Sequence, residues 1–135
     1  MSTLKTTISF ESASLFPTPI SFTKIATETV AGQYASYQTL SLAAGALETL
    51  FETNTAIGNS GVLYLYATAS SSNAESVDLI INNKSTTQTY FMRLIPGDIA
   101  YLPVFAADLA GIKISARNND PANAAALTYF CADKD

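Results

Sequence analysis

Apolar and polar residues alternate along much of this chain in short runs, and glycine, proline, asparagine and serine separate the runs. A period of two places successive side chains on opposite faces of an extended strand, so each run predicts a strand with one face toward a core. In the first run Leu4, Thr6, Ile8 and Phe10 share one side, while Lys5, Thr7, Ser9 and Glu11 share the other. Pro17 and Pro19 end that pattern, because proline cannot donate a ladder hydrogen bond. Residues 21–42 then read as two strands meeting near Ala31-Gly32, and Ala43-Ala44-Gly45 reads as a turn before a strand over 47–53.

Asn59-Ser60-Gly61 punctuates the next loop. The run from Val62 to Thr68 differs from its neighbours. Leu63 and Leu65 alternate with Tyr64 and Tyr66, so both faces are apolar or amphipathic. That predicts a central strand with one side in the core and the other covered. Ala69 to Ala74 reads as an exposed loop, followed by strands over 76–82, 88–94, 99–104, 111–117 and 125–131. Pro96-Gly97 is the strongest turn signal in the chain and fits a type II turn whose third residue needs positive φ. Residues 106–110 could hold one helical turn, and residues 43–52 a short helix. The sum is eight to ten short strands with no long amphipathic helix, which predicts an all-β, antiparallel sandwich of jelly-roll type in a single domain over 1–135.

Composition sharpens this picture. The chain is 48% hydrophobic and only 13% charged, and 16 threonines and 14 serines supply the polarity that charge does not. Ordinary charge-rich disorder is excluded by that balance. Net charge is −4, and the seven basic residues are scattered singly, with no stripe to neutralise a phosphate backbone; this argues against direct nucleic-acid binding. There is no apolar run long enough for a membrane-spanning helix and no leader-like N-terminus, so the sequence reads as cytoplasmically made. Cys131, the lone cysteine, is expected as a small buried residue of the last strand.

Catalytic chemistry finds little to work with. The absence of histidine removes serine and cysteine triads and the usual zinc sites together. No glycine-rich phosphate cradle is present, and no cofactor is implied. Paired carboxylates remain the one arrangement open, but Glu48 and Glu52 read as polar positions flanking Leu50 and Phe51. Asn118, Asn119 and Asp120 could offer oxygen ligands to calcium, yet a turn explains them better. The seven tyrosines could stack on sugars, or could serve as sandwich wall and protein interface. The expectation is a protein that is not an enzyme.

The segment from Val77 to Arg117 carries a resemblance. A strand leads to Asn82-Asn83-Lys84-Ser85, then Leu94-Ile95-Pro96-Gly97-Asp98, then a strand ending in Leu102-Pro103, then Ile112-Lys113-Ile114-Ser115-Ala116. This resembles small accessory structural proteins of tailed bacteriophage particles: decoration, cement, connector or tail subunits. The resemblance covers about 40 of the 135 residues. It implies a virion protein made in the host cytoplasm, with capsid or tail proteins as partners. A carbohydrate- or receptor-binding module and a fimbrial or adhesin-like subunit are the alternatives.

More apolar area than one thin core can take up suggests a homo-oligomer or lattice. Tyr64 and Tyr66 are the candidate interface residues on the doubly apolar strand. Leu4 and Thr6 are the candidates on an N-terminal arm, residues 1–7, which could pair with a neighbour's sheet edge.

Overall fold

The computed structural model describes residues 2–14, 17–30, 35–55, 57, 61–84, 86–105 and 111–134. Its elements are β1 (Ser2–Ser12), β2 (Ile20–Val30), β3 (Ser36–Leu42), β4 (Leu47–Glu52), β5 (Val62–Ala69), β6 (Val77–Asn83), β7 (Thr89–Leu94), β8 (Ile99–Phe105), β9 (Ile112–Asn118) and β10 (Ala125–Asp133). All described pairings are antiparallel.

Eight of these strands form two four-stranded sheets, ordered β3-β10-β5-β8 and β4-β9-β6-β7. The pairings are nested: β6 with β7, β5 with β8, β4 with β9 and β3 with β10. A long antiparallel ribbon folded over on itself in this way is a jelly roll, which matches the sequence expectation. The sequence placed most strands within one or two residues of their observed ends.

The core lies between the sheets. Leu42, Leu63, Leu65 and Leu127 from one sheet meet Val77, Leu79, Ile112 and Ile114 from the other, all fully buried. Burying a side chain of this size contributes about 1.5–3 kcal/mol. Two polar contacts fix the layers in register. Tyr129 donates its hydroxyl to the Leu50 carbonyl at 3.0 Å. Asn118, also buried, donates from Nδ2 to the carbonyls of Leu42, Ala43 and Asn123.

The turn over Ile95–Asp98 behaves as its sequence predicts. Gly97 has φ +91°, and the Asp98 amide donates to the Ile95 carbonyl at 2.9 Å. Gly97 also donates its amide to the Ala69 carbonyl, which seats the turn on the end of β5. Pro96 and Gly97 thus carry the chain from one sheet to the other.

Several expectations need correction. Residues 47–52 form the strand expected over 47–53, and the alternative short helix over 43–52 is overturned, because Leu50 is needed in the core and Glu48 and Thr49 pair with β9. The 69–74 segment is not simply exposed: Asn73 is buried and exchanges two hydrogen bonds with the backbone of Ala126. Residues 2–7 are not a free arm, since they belong to an 11-residue strand laddered to β2 from Ser2↔Val30 to Ser12↔Ile20. The helical turn expected at 106–110 and the junction at Ala31-Gly32 lie outside the described residues.

Candidate binding face

Strand pairing collects onto one surface residues that are far apart in the chain. On the outer side of the β3-β10-β5-β8 sheet, Tyr37 pairs with Phe130, Phe130 with Tyr66, and Tyr66 with Tyr101. These four aromatic residues form one row across all four strands. Directly beside it, Thr39, Thr128, Thr68 and Ile99 make a second row. Thr39 and Thr128 share a hydrogen bond of 2.9 Å between hydroxyls, and Thr68 donates its hydroxyl to the Asp98 carbonyl. Neither row contains a charged residue. Cross-strand pairs of aromatic and β-branched residues are also what stabilises a sheet, so the rows serve the fold as well.

The β1–β2 hairpin lies over part of this surface. Leu4, Thr6, Ile8 and Phe10 share one face of the hairpin with Val30, Ala26, Lys24 and Phe22. At the hairpin's root, Val30 and Leu4 pack with Tyr64, Ala132, Tyr101 and Phe130. An isolated bridge between Val30 and Lys134, and a Glu28–Lys134 ion pair at 3.0 Å, fasten that root to the end of β10. Tyr64 and Tyr101 stack with ring centroids 6.1 Å apart and planes at 5°. Burial beneath this root pushes the Tyr64 phenol above its ordinary range, and the Glu28 carboxylate adds to that.

Farther out, the hairpin and the sheet part. A cleft of about 460 Å³ opens there, lined by Ile8, Phe10, Tyr66, Ile99 and Tyr101 among others. Phe10 is 61% exposed and Ile99 67%, and the Phe10 and Phe22 rings stand 6.3 Å apart on the hairpin. At the opposite edge of the sheet, Tyr37 is 71% exposed.

Two of the four candidate interface residues, Tyr64 and Leu4, lie where hairpin and sheet come together. Tyr64 and Leu4 touch the same small cluster inside the chain, so Tyr64, at 7% exposure, is covered by the protein's own hairpin. Thr6 is half-buried on the same hairpin face, and Tyr66 borders the open cleft. The sequence did not single out Tyr37, Phe130, Thr39 and Thr128 as a group. Alternation marks each as outward-facing, but their union depends on a β3–β10 pairing that spans most of the chain.

Other candidates have structural roles. Asp120 accepts the amides of Ala122 and Asn123, and its own amide donates to Asn118 Oδ1, a tight asparagine–aspartate turn. Those amides hold the Asp120 carboxyl below its ordinary range. Glu52 pairs with Lys84 at 2.6 Å, which pulls its carboxyl down as well. Among the described residues, no group of three or more His, Cys, Asp or Glu is gathered. Cys131 is fully buried, and burial pushes its thiol up to about 11. A thiol so withdrawn from water is inert at neutral pH.

No family model matches the sequence, and no curated protein matches it. Among solved structures, the chain is similar to the Yersinia pseudotuberculosis-derived mitogen. That match covers 75% of this chain and 86% of the other, with 14% identity and a TM-score of 0.50. It is more loosely similar to the cupin domain of Schizosaccharomyces pombe Cnp3, over 95% and 88% of the two chains, at 12% identity and a TM-score of 0.43. Peruvianin-I, a cysteine peptidase from Thevetia peruviana latex, matches over 74% of this chain at 19% identity and a TM-score of 0.46. The chain spans 50% of that peptidase's length. The mitogen match shows a shared small β-sandwich fold and nothing beyond the fold.

Proposed function

We propose that this protein is a non-catalytic binding module, and that its ligand is a carbohydrate displayed on a receptor. The aromatic row Tyr37–Phe130–Tyr66–Tyr101, open at Tyr37 and packed under the hairpin root at Phe130 and Tyr101, beside Thr39, Thr128 and Thr68, is the observation that carries this reading. Sugars present apolar C–H faces that stack on aromatic rings and neutral hydroxyls that exchange hydrogen bonds. An uncharged surface with rings in one line and hydroxyls in the next complements both. Tyr37, the most exposed ring of the row, leads the contact.

Screening the labelled protein on a glycan array, followed by saturation-transfer NMR on the best ligand, tests it. Tyr37→Ala should weaken binding by about tenfold or more, as expected for an aromatic anchor. Retention of no glycan, or a Tyr37→Ala variant that binds as well as the parent, would overturn the reading.

A second reading, an accessory subunit of a phage virion, is supported by the outer part of the hairpin, where Phe10, Phe22 and Ile20 stand exposed together. Such a patch suits docking on a capsid or tail protein, or on further copies of the chain. Co-sedimentation with empty shells and with assembled tails distinguishes it. Binding to either, lost in Phe10→Ser, would favour the virion; sedimentation as a free monomer would remove it.

A further inference from the structure

The geometry points to a second binding site, a cleft between the edges of the two sheets that takes an amphipathic molecule with an acyl-like body and a neutral hydrogen-bonding head. Strands β7 and β8 are the neighbouring edges of opposite sheets, clamped together at one end by the Ile95–Asp98 turn. Near that clamp the inward side chains are covered, with Leu94 and Ala100 both buried. One step along β7, Met92 is only half-buried, and one step further Tyr90 is 58% exposed.

Tyr90 should not be so open if the sandwich were closed there. Its register partner is Ile81, whose side chain belongs to the core, so Tyr90 lies on the inward side of β7. Tyr129, an inward tyrosine elsewhere in the same sandwich, is 3% exposed. The sheets therefore splay away from the turn, and a cavity of about 560 Å³ opens between them. That volume falls within the range of roughly 300–1,000 Å³ usual for small-ligand sites.

The lining chemistry narrows the ligand. Ile81, Ile112, Leu102, Val104 and Met92 form an apolar floor, and an unbranched thioether such as Met92 adapts readily to an alkyl chain. Among the described lining residues, Asn83, Thr86 and Gln88 bring polar groups to the side toward the β6–β7 connection. The Tyr90 hydroxyl donates to Gln88 Oε1 at 2.9 Å within that group. Among the described residues, none that lines the cavity is charged. Three described charged residues that adjoin lining residues in the chain are engaged elsewhere, Arg93 by Asp78 across the outer face, and Lys84 and Lys113 by Glu52. A carboxylate or phosphate entering this cleft would lose water and gain no counter-charge from the described lining, a cost that a neutral head escapes. This site is separate from the aromatic face and does not depend on the function proposed for it.

Methionine methyl NMR gives a direct test, because the chain has only two methionines, Met1 and Met92. Protein labelled at the methionine methyl carbons is titrated with 1-monodecanoyl glycerol, decanoate and glycerol. The Met92 signal, identified by its loss in Met92→Leu, should shift saturably with the monoglyceride and not with glycerol. Decanoate at neutral pH should bind at least about tenfold more weakly. Val104→Phe and Leu102→Phe, each filling the cleft from a different depth, should abolish the shift while thermal unfolding shows that at least one remains folded. A Met92 signal unmoved by the monoglyceride, or a folded cleft-filling variant that binds normally, would overturn the site. Equal binding of decanoate would overturn the neutral-head assignment.

Discussion

In β5, Leu63, Leu65 and Ala67 occupy alternate positions and are fully buried. In β1, Leu4, Ile8 and Phe10 also share one side, but the first two are half-buried and Phe10 is 61% exposed. The local pattern is the same and the outcome is opposite. Alternation decides which side of a strand is apolar; coverage of that side depends on what the topology lays against it. The central sandwich strands, such as β5, face a second sheet along their length. The hairpin has only the outer side of one sheet, and only near its root. A two-stranded ribbon is marginal by itself, so its stability is borrowed from that contact.

This difference can be probed most severely inside the sandwich. Gly111 has φ +77°, and a Cβ placed on it would stand 2.2 Å from the Thr53 carbonyl oxygen and 3.0 Å from the Thr55 amide nitrogen. Backbone, unlike a flexible side chain, cannot step aside. Gly111→Ala should therefore cost on the order of 3–5 kcal/mol, combining a strained φ with forced displacement of the chain after β4. Urea unfolding measures it. A loss below about 1 kcal/mol would mean that the β4–β9 junction is far softer than the packing implies.

Gly97→Val comes next, at about 1–3 kcal/mol. Here a Cβ would meet only Ser71 at 3.7 Å, so the cost is conformational, from a β-branched residue at φ +91°, and not steric. Thermal melts of the two variants should separate the contributions. Gly97→Ala should recover much of the loss, whereas no alanine-sized residue fits at Gly111.

Acid sharpens the contrast from another side. Asp78 is buried on the outer side of its sheet, and Arg93 grips it with two hydrogen bonds, 2.8 and 3.1 Å. That grip holds the Asp78 carboxyl below its ordinary value of 3.8. A carboxylate whose folded pKa is depressed contributes stability that is fully present above the unfolded value. The contribution is lost as pH falls through the folded one. Asp120, held low by the Ala122 and Asn123 amides, acts in the same direction. The melting temperature should be level above pH 5 or so and fall below about pH 4. Asp78→Asn should lower the plateau and flatten the fall, because it removes one of the protons taken up on acid unfolding. An unchanged acid limb in that variant would assign the loss elsewhere.

Most of the sandwich was legible because its signals are local. Pro96-Gly97 announces a turn by the conformations those two residues permit, and Val77, Leu79 and Ile81 announce a buried face by spacing alone. The doubly apolar strand over 62–68 also announced that its outer side would be covered. What covers it could not be read, because a hairpin folding back over Tyr64 and a neighbouring chain docking there leave the same trace in β5. The candidate face was hidden for a related reason: Tyr37 and Phe130 become neighbours only through a pairing between the first and last strands of the sandwich. Asn73 misled differently. A serine-rich stretch reads as solvated, yet its one asparagine is buried against Ala126.

The smallest expected effect is the most direct test of the comparison. Leu4→Ala removes a half-buried side chain from the cluster that includes Val30 and Tyr64, and should cost about 1 kcal/mol, below the range for a fully buried leucine. Phe10→Ser deletes a larger side chain from the same strand and the same side. Because that ring is mostly in water already, global stability should move by no more than about 0.5 kcal/mol. Hydrogen exchange supplies the finer reading. Amides of β1 and β2 toward Phe10 and Phe22 should exchange through local opening, well before those of β5 and β10, while amides nearest Val30 fall between. Phe10→Ser should leave that gradient in place, whereas Leu4→Ala should speed exchange along the whole hairpin and leave the sandwich unchanged. If instead Phe10→Ser destabilises the protein as much as Leu4→Ala, the outer hairpin is packed against something in solution. Repeating the measurement across protein concentrations would then show whether a second copy is what covers it.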